Sequence, residues 1–193
     1  MSRKAQTRRR LIDAAREEFT RLGYDGARPQ QISKRAGVAN GTFYTHFDSK
    51  LDCFATVCDT TIHEFEQKLR ALEDAQTLPA SIDQILQCFI DALREDPAVL
   101  KVQLSDYRLL AHPVRHGRVF PNERLIAFMG DKIEQWRELG WVTNPTRARL
   151  LAFATVGMVR EAIKHLAPHA DSAANLAKPI RELMLSILTP SET

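Results

Sequence analysis

The chain has 193 residues, 44% hydrophobic and 26% charged, with a formal net charge of +3, the composition of an ordinary globular protein with room for a small domain beside a larger one. Its opening, MSRKAQTRRRL, lacks the apolar core of a signal peptide and no apolar run reaches the roughly 18 residues of a membrane span, so a cytoplasmic protein is expected. Residues 1–52 carry 11 Lys/Arg against 6 Asp/Glu while residues 53–193 carry 16 against 18, and positive charge confined to one end points to a polyanion there, nucleic acid above all, or to a merely solvated basic face.

Apolar residues recur at spacings of three and four from end to end, with no sustained period-2 alternation, so an all-helical protein of about nine helices is expected. The first helix spans about residues 5–22, with Leu11, Ala15, Phe19 and Leu22 on one stripe and Gly23 as its stop. Lys4, Arg8, Arg9 and Arg10 crowd its opening turns, where cations oppose the helix dipole; an external anion would explain them, and so would chance. Pro29 fits the first position of a short helix over residues 30–36 that turns Ile32 and Ala36 inward and ends at Gly37.

A second short helix is expected over about residues 40–47. With Phe43 toward the core at 0° and 100° per residue, Phe47 returns to about 40° while Gly41 and Thr45 fall near 160° and 200°. Two short helices joined by a glycine turn, the second offering small polar groups outward, describe a helix-turn-helix. Thr42 and Thr45 each carry a hydroxyl and a methyl, the two kinds of contact that base edges in a major groove accept, and Gly41 lets the backbone approach closely.

Ser49 and Asp52 have capping-box spacing. They open a long helix with Leu51, Ala55, Cys58, Ile62, Phe65, Leu69 and Leu72 as its apolar seam. Pro79, Pro97, Pro121 and Pro145 mark four further helix starts, reaching about residues 94, 112, 139 and 166, and a last helix covers about 172–188 around Pro179. Residues 112–118, HPVRHGR, read as a loop. Residues 150–159, LLAFATVGMV, carry no charge and mix small with large side chains, which requires burial on more than one side. With the final helix this stretch is expected to build either a four-helix dimer interface, through Leu151, Ala154, Gly157, Met158, Ile180, Leu183 and Ile187, or one monomer core. Cys53, Cys58 and Cys88 follow no C-x-x-C spacing and read as small buried hydrophobes.

The series Thr7-x3-Leu11-Ile12-x-Ala14-Ala15-x3-Phe19-x3-Gly23-Tyr24, followed by Ile32-Ser33-x2-Ala36-Gly37-Val38-x2-Gly41-Thr42-Phe43-Tyr44-x-His46-Phe47-x-Ser49-Lys50, closely resembles the N-terminal domain of the tetracycline-repressor (TetR) family. The resemblance covers about the first quarter of the chain and implies a DNA-binding domain over residues 1–50, the family domain extending to about 64, with a helical regulatory and dimerisation domain over 51–193. It implies a homodimeric transcription regulator, usually a repressor, that binds a palindromic double-stranded operator and often releases it when a small molecule enters the C-terminal domain.

By the same resemblance, residues 31–36, opened by Gln31, form the supporting helix. Asn40, Thr42 and Thr45 face bases with Gly41 letting the backbone approach, Tyr44, His46 and Lys50 hold phosphates, and Thr7 and Gln31 also lie toward DNA, while Arg28 is either a contact to a phosphate or base edge or a plain surface arginine. Two departures stand out: Ala39 replaces the usual serine cap, so Asn40 is a candidate cap itself, and Arg28 stands where Ser or Thr is common. An apolar or amphipathic ligand would be lined by Phe89, Tyr107, Trp136, Phe153 and Met158 with Arg108 or Arg160 as a polar anchor, although such residues on helices also serve as plain core.

Other readings are a constitutive regulator without an inducer and a metal-responsive one. For the latter, His112 with His116 and His165 with His169 have i,i+4 spacing, but Pro113 and Pro168 interrupt each pair and further ligands are not evident. No nucleophile elbow, H-E-x-x-H, phosphate loop or dinucleotide fingerprint occurs, and Glu123, Glu134 and Glu161 read as surface or ion-pair residues, so neither catalysis nor a cofactor is expected.

Overall fold

The computed structural model describes residues 2–96, 121–166 and 170–190. Among them are seven α-helices and one 3-10 helix: α1 (Arg3–Gly26), α2 (Pro29–Arg35), the 3-10 helix (Asn40–Thr45), α3 (Lys50–Arg70), α4 (Leu78–Glu95), α5 (Pro121–Glu138), α6 (Ala148–Leu166) and α7 (Ala170–Leu188). The described residues contain no strand, so the fold is all-α. The expected helix over residues 97–112 and the loop after it lie outside the described residues. The chain divides into two compact units with a boundary between Thr61 and Ile62, inside α3, so α3 contributes to both.

In the first unit, the stripe of α1 is buried through Leu11, Ala15 and Phe19, joined by Ile12 and Ala14. Gly23, at φ 69°, breaks the helical geometry where the sequence places its stop, and the turn after it carries Tyr24 back onto the core. There Phe54 of α3 meets Phe19 edge-on at 5.0 Å and Tyr24 at 5.2 Å. Ile32 and Ala36 of α2 and both Phe43 and Phe47 complete this core.

One buried group in this unit carries charge. Glu18 is almost fully enclosed, and its carboxylate accepts from Arg35 Nε at 2.6 Å and Arg21 Nη2 at 2.9 Å, while Arg35 also meets Glu17 at 2.6 Å. Burial alone would raise its pKa, but the hydrogen bonds and charges of Arg35 and Arg21 together hold it below the ordinary 4.5. A carboxyl whose folded pKa is depressed gives stability that is complete above its unfolded value and disappears as pH falls through the folded one. Glu18→Gln is therefore expected to flatten the acid limb of the pH–stability curve below about 4.5. Thermal unfolding of both proteins between pH 7 and pH 3 checks this, and parallel acid limbs would refute it.

The seam of α3 is buried at Ala55, Cys58, Ile62, Phe65 and Leu69, with Leu51 and Leu72 only partly covered. Ser49 Oγ accepts from Asp52 N at 3.0 Å, and Asp52 Oδ2 reaches one residue past Ser49 to accept from Asp48 N at 3.1 Å. Cys53 and Cys58 are buried, and burial pushes the Cys58 thiol up to about 12. Cys88 departs from expectation: it is half-exposed, beside Lys68 and Gln84 in a surface groove of about 420 Å³.

In the second unit α5 packs on α6, and α7 packs on α4 and α6. Phe65 meets Phe89 at 5.5 Å, and Trp136 and Ile133 are fully buried. α6 begins at Ala148, three residues after the expected start at Pro145, because the preceding loop is tied down. Asn144 Nδ2 donates to Ile187 O at 2.7 Å, and Arg137 Nη2 donates to Asn144 O and Thr146 O at 3.1 and 2.7 Å. The Asn144 bond also satisfies a carbonyl at the C-terminal end of α7.

The expected dimer residues separate into two groups. Leu151 and Ile180 are buried in the unit's own core, which corrects their assignment to an interface, whereas Ala154 and Leu183 are exposed and Gly157, Met158 and Ile187 half-exposed. Leu150 and Phe153 join the exposed group at 61% and 46%. Among the described residues no helix is long and apolar enough to cross a membrane.

Candidate nucleic-acid interface

α2 ends in a Schellman arrangement: Val38 N donates to Ser33 O and Gly37 N to Lys34 O, with Gly37 at φ 64°. At its other end Gln31 Oε1 accepts from Arg28 N at 3.2 Å while Gln31 N donates to Arg28 O. Arginine has no acceptor to return, so Gln31 acts as this helix's cap and Arg28 keeps an exposed, unspent guanidinium.

The element after the turn is a 3-10 helix, not the α-helix expected. Asn, Gly, Thr and Tyr are weak α-formers, and short runs readily take the tighter winding. The outward and inward faces survive the change. Phe43 and Phe47 are buried 5.3 Å apart; Asn40, Gly41, Tyr44 and Thr45 are exposed, and Thr42 is half-exposed. Tyr44 stands 58% exposed with its ring edge-on to Phe43. The N-cap is Ala39, which supplies no side-chain bond, so Asn40 does not take over as cap and stays on the open face. Thr45 Oγ1 donates to Thr42 O at 2.7 Å, leaving its lone pairs and methyl group outward.

The basic residues divide differently from the expectation. Lys50 Nζ donates to Tyr24 O at 2.9 Å and Ala27 O at 3.3 Å and lies 4.3 Å from the Tyr24 ring, so its first task is to tie the start of α3 to the α1–α2 turn. Arg8 stacks over Phe47 at 5.1 Å, and Arg10 donates to the carbonyls of Ala36 and Gly37. Lys4 and Arg9 are exposed, and Thr7 is half-exposed. His46 lies under this arm with Nδ1 buried and unpartnered; burial first, then Lys4 and Arg8, hold its pKa below 6.5. Glycine at position 37 signals open carbonyls, but nothing in the sequence identifies Arg10 as their donor.

Elsewhere the expected ligand residues that are described fall in different surroundings. Phe89 and Trp136 are core, and Phe153 points outward with Arg149 over its ring at 5.7 Å, which corrects its reading as a pocket wall. Met158 and Arg160 are half-buried, Arg160 pairing with Glu161 at 2.6 Å, and Tyr107 and Arg108 lie outside the described residues. Glu123 and Glu134 pair with Arg149 and Arg137. Among the described residues no group of three His, Cys, Asp or Glu could hold a metal, and the side chains of His112, His116, His165 and His169 lie outside them.

A supporting helix, a glycine turn, and a short polar element clamped to its domain by two phenylalanines on a basic unit define a helix-turn-helix DNA-binding protein. Residues 11–57 match the family model described as bacterial regulatory proteins, tetR family. This part of the chain is thus a DNA-binding domain of the TetR family of transcription regulators. It is 23% identical over 144 residues to the HTH-type regulator YhgD of Bacillus subtilis, covering 74% of this chain and 75% of that one. It is 41% identical over 61 residues to SrpR of Pseudomonas putida, spanning 32% of this chain and only 29% of that one. Its fold matches the fatty acid degradation regulator FadR from Bacillus halodurans with a TM-score of 0.76 at 23% identity, over 96% of both chains.

Proposed function

We propose that the chain is a homodimeric repressor that reads a palindromic operator with two copies of the Asn40–Thr45 element and releases it when a small molecule binds the second unit. In this reading residues 1–50 form the DNA-binding domain, within a family domain reaching about 64, and 51–193 the regulatory and dimerisation domain of a cytoplasmic protein. The observation that carries the DNA half is the exposed strip Asn40, Gly41, Tyr44 and Thr45 seated over two buried rings. Thr42 and Thr45 supply hydroxyl and methyl contacts to base edges. Tyr44, Arg28, Thr7 and a Lys50 with one remaining N–H hold phosphates, and His46 contributes from its edge, fixing register without reading sequence.

The ligand half draws on the FadR match, which supports an amphipathic ligand such as a fatty acyl compound. The half-buried Met158 and Arg160 remain candidates for its binding. Tyr107 and Arg108, beyond the described residues, complete the proposed set.

Selection of a duplex from a random pool tests the DNA reading. The enriched sequence should be a palindrome with half-sites about one helical turn, or 34–36 Å, apart. Tyr44→Ala should bind it roughly tenfold more weakly, with the log–log salt slope near wild type, because an uncharged hydroxyl neutralises no phosphate. Recovery of no sequence, or a Tyr44→Ala protein that binds as tightly as wild type, would overturn it. Thermal shift with fatty acids and acyl-CoA compounds tests the ligand class.

A further inference from the structure

The Schellman arrangement at the end of α2 satisfies the carbonyls of Ser33 and Lys34 and leaves those of Ala36 and Gly37 facing out of the turn. Both receive a donor from α1: Arg10 Nη2 lies 2.5 Å from Ala36 O and 3.3 Å from Gly37 O, twenty-six and twenty-seven residues along the chain. The guanidinium sits so close that a Cβ on Gly37 would meet Nη2 at 2.7 Å, and Gly37 is also held at φ 64°. Glycine is required at this position for its backbone conformation, and a Cβ there would also have to displace the end of the Arg10 side chain. Only Val38 and Ala39 separate this peptide from Asn40, and Thr42 N donates to Ala39 O to begin the 3-10 helix. Whatever fixes the Ala36–Gly37 peptide fixes the origin of the recognition element.

We propose that Arg10 is a positioning residue for base reading, holding the helix-turn-helix turn in place from α1 and not meeting DNA phosphate. Its charge is placed at the C-terminal, carbonyl-rich end of α2, where a cation is favourable. The inference rests on the reading that the Asn40–Thr45 element enters the groove. It separates Arg10, whose guanidinium is engaged by two turn carbonyls, from the equally exposed Arg9 beside it, which has the same charge.

Three effects of replacing Arg10 can be told apart by measuring full-length Arg10→Gln and Arg10→Lys against the duplex enriched by the wild-type protein and a scrambled duplex of equal length. Lysine keeps the charge, but its nitrogen ends one bond short of Nη2. Positioning predicts that both variants lose at least about tenfold in the ratio of specific to scrambled affinity, with scrambled affinity and salt slope near wild type. A phosphate contact predicts instead that Arg10→Lys binds like wild type while Arg10→Gln lowers affinity for both duplexes and the slope by about 0.9 per subunit. A purely structural role predicts a lower melting temperature with an unchanged ratio at temperatures well below melting. Either of the last two results overturns the inference. Wild-type protein unable to distinguish the duplexes would remove the DNA reading, and this inference with it; intact discrimination in both variants removes the inference alone.

Discussion

Replacing Phe43 with alanine is expected to unfold the N-terminal unit and with it all sequence-specific DNA binding. The ring is completely buried, 5.3 Å from Phe47 and 5.2 Å from Tyr44, and the burial of Phe43 and Phe47 in the unit's core is what holds a two-turn element to its domain. Deleting a buried phenylalanine ring costs about 3–5 kcal/mol. A unit of this size has a total stability of only about 3–9 kcal/mol at typical values per residue, so the substitution removes most or all of it. The control is Tyr44→Ala. Tyr44 is more than half exposed, so its truncation should change stability by about 0.5 kcal/mol or less while weakening DNA binding. Thermal unfolding by circular dichroism, with fluorescence anisotropy on a labelled duplex at low salt, separates the two. A Phe43→Ala protein that melted within a degree or two of wild type would show that the recognition element is held by something other than its rings.

The same element shows how far the sequence carries the reading. Two apolar residues four apart, bounded by Gly37 and Ser49, suffice to say that one face is buried and the other polar, because an α-helix and a 3-10 helix that ends in an α-type bond from Phe47 N to Phe43 O both bring those rings inward. They do not choose between the windings. That choice depends on the weak helix propensity of Asn40, Gly41 and Thr42 in an element too short for periodicity to register. Proline and glycine punctuation placed α2, α4 and α5 to within a residue or two, since these residues act through their own backbone.

What the sequence hides is the use of charge. Glu18 follows Glu17 and looks like part of a solvated face; its burial follows from Arg35, seventeen residues away and on another helix. Arg8, Arg10 and Lys50 look like a cluster awaiting phosphate, yet each has an internal partner supplied by the fold: a ring, a pair of turn carbonyls, and the α1–α2 turn. Pro145 failed as a helix start for a comparable reason. Asn144 and Arg137 hold the loop around it in bonds to α7 and to the loop itself, and such long-range bonds leave no local pattern.

Leu183→Asp is expected to convert a dimer of the 21.9 kDa chain into a monomer and to weaken operator binding at least about 100-fold. Leu150, Phe153 and Leu183 are 61%, 46% and 52% exposed on α6 and α7, two helices packed on each other. With Ala154 and Gly157 following Leu150 and Phe153 at helical spacing, they leave an apolar strip on the surface of the second unit. A two-fold interface uses the same residue from both chains, so one substitution acts twice. Each copy forfeits the burial of a leucine, about 1.5–3 kcal/mol, and adds the cost of dehydrating a carboxylate. Leu139, at 54% exposure, is matched in accessibility but lies at the end of α5, beside Trp141 and Gln135. Leu139→Asp should therefore remain dimeric and keep its operator affinity. Light scattering after size exclusion, followed by titration of the selected duplex, decides the matter. If Leu183→Asp stays dimeric, or if wild type is already a monomer, the two recognition elements are not coupled through α6 and α7, and binding to a palindrome would need a different interface.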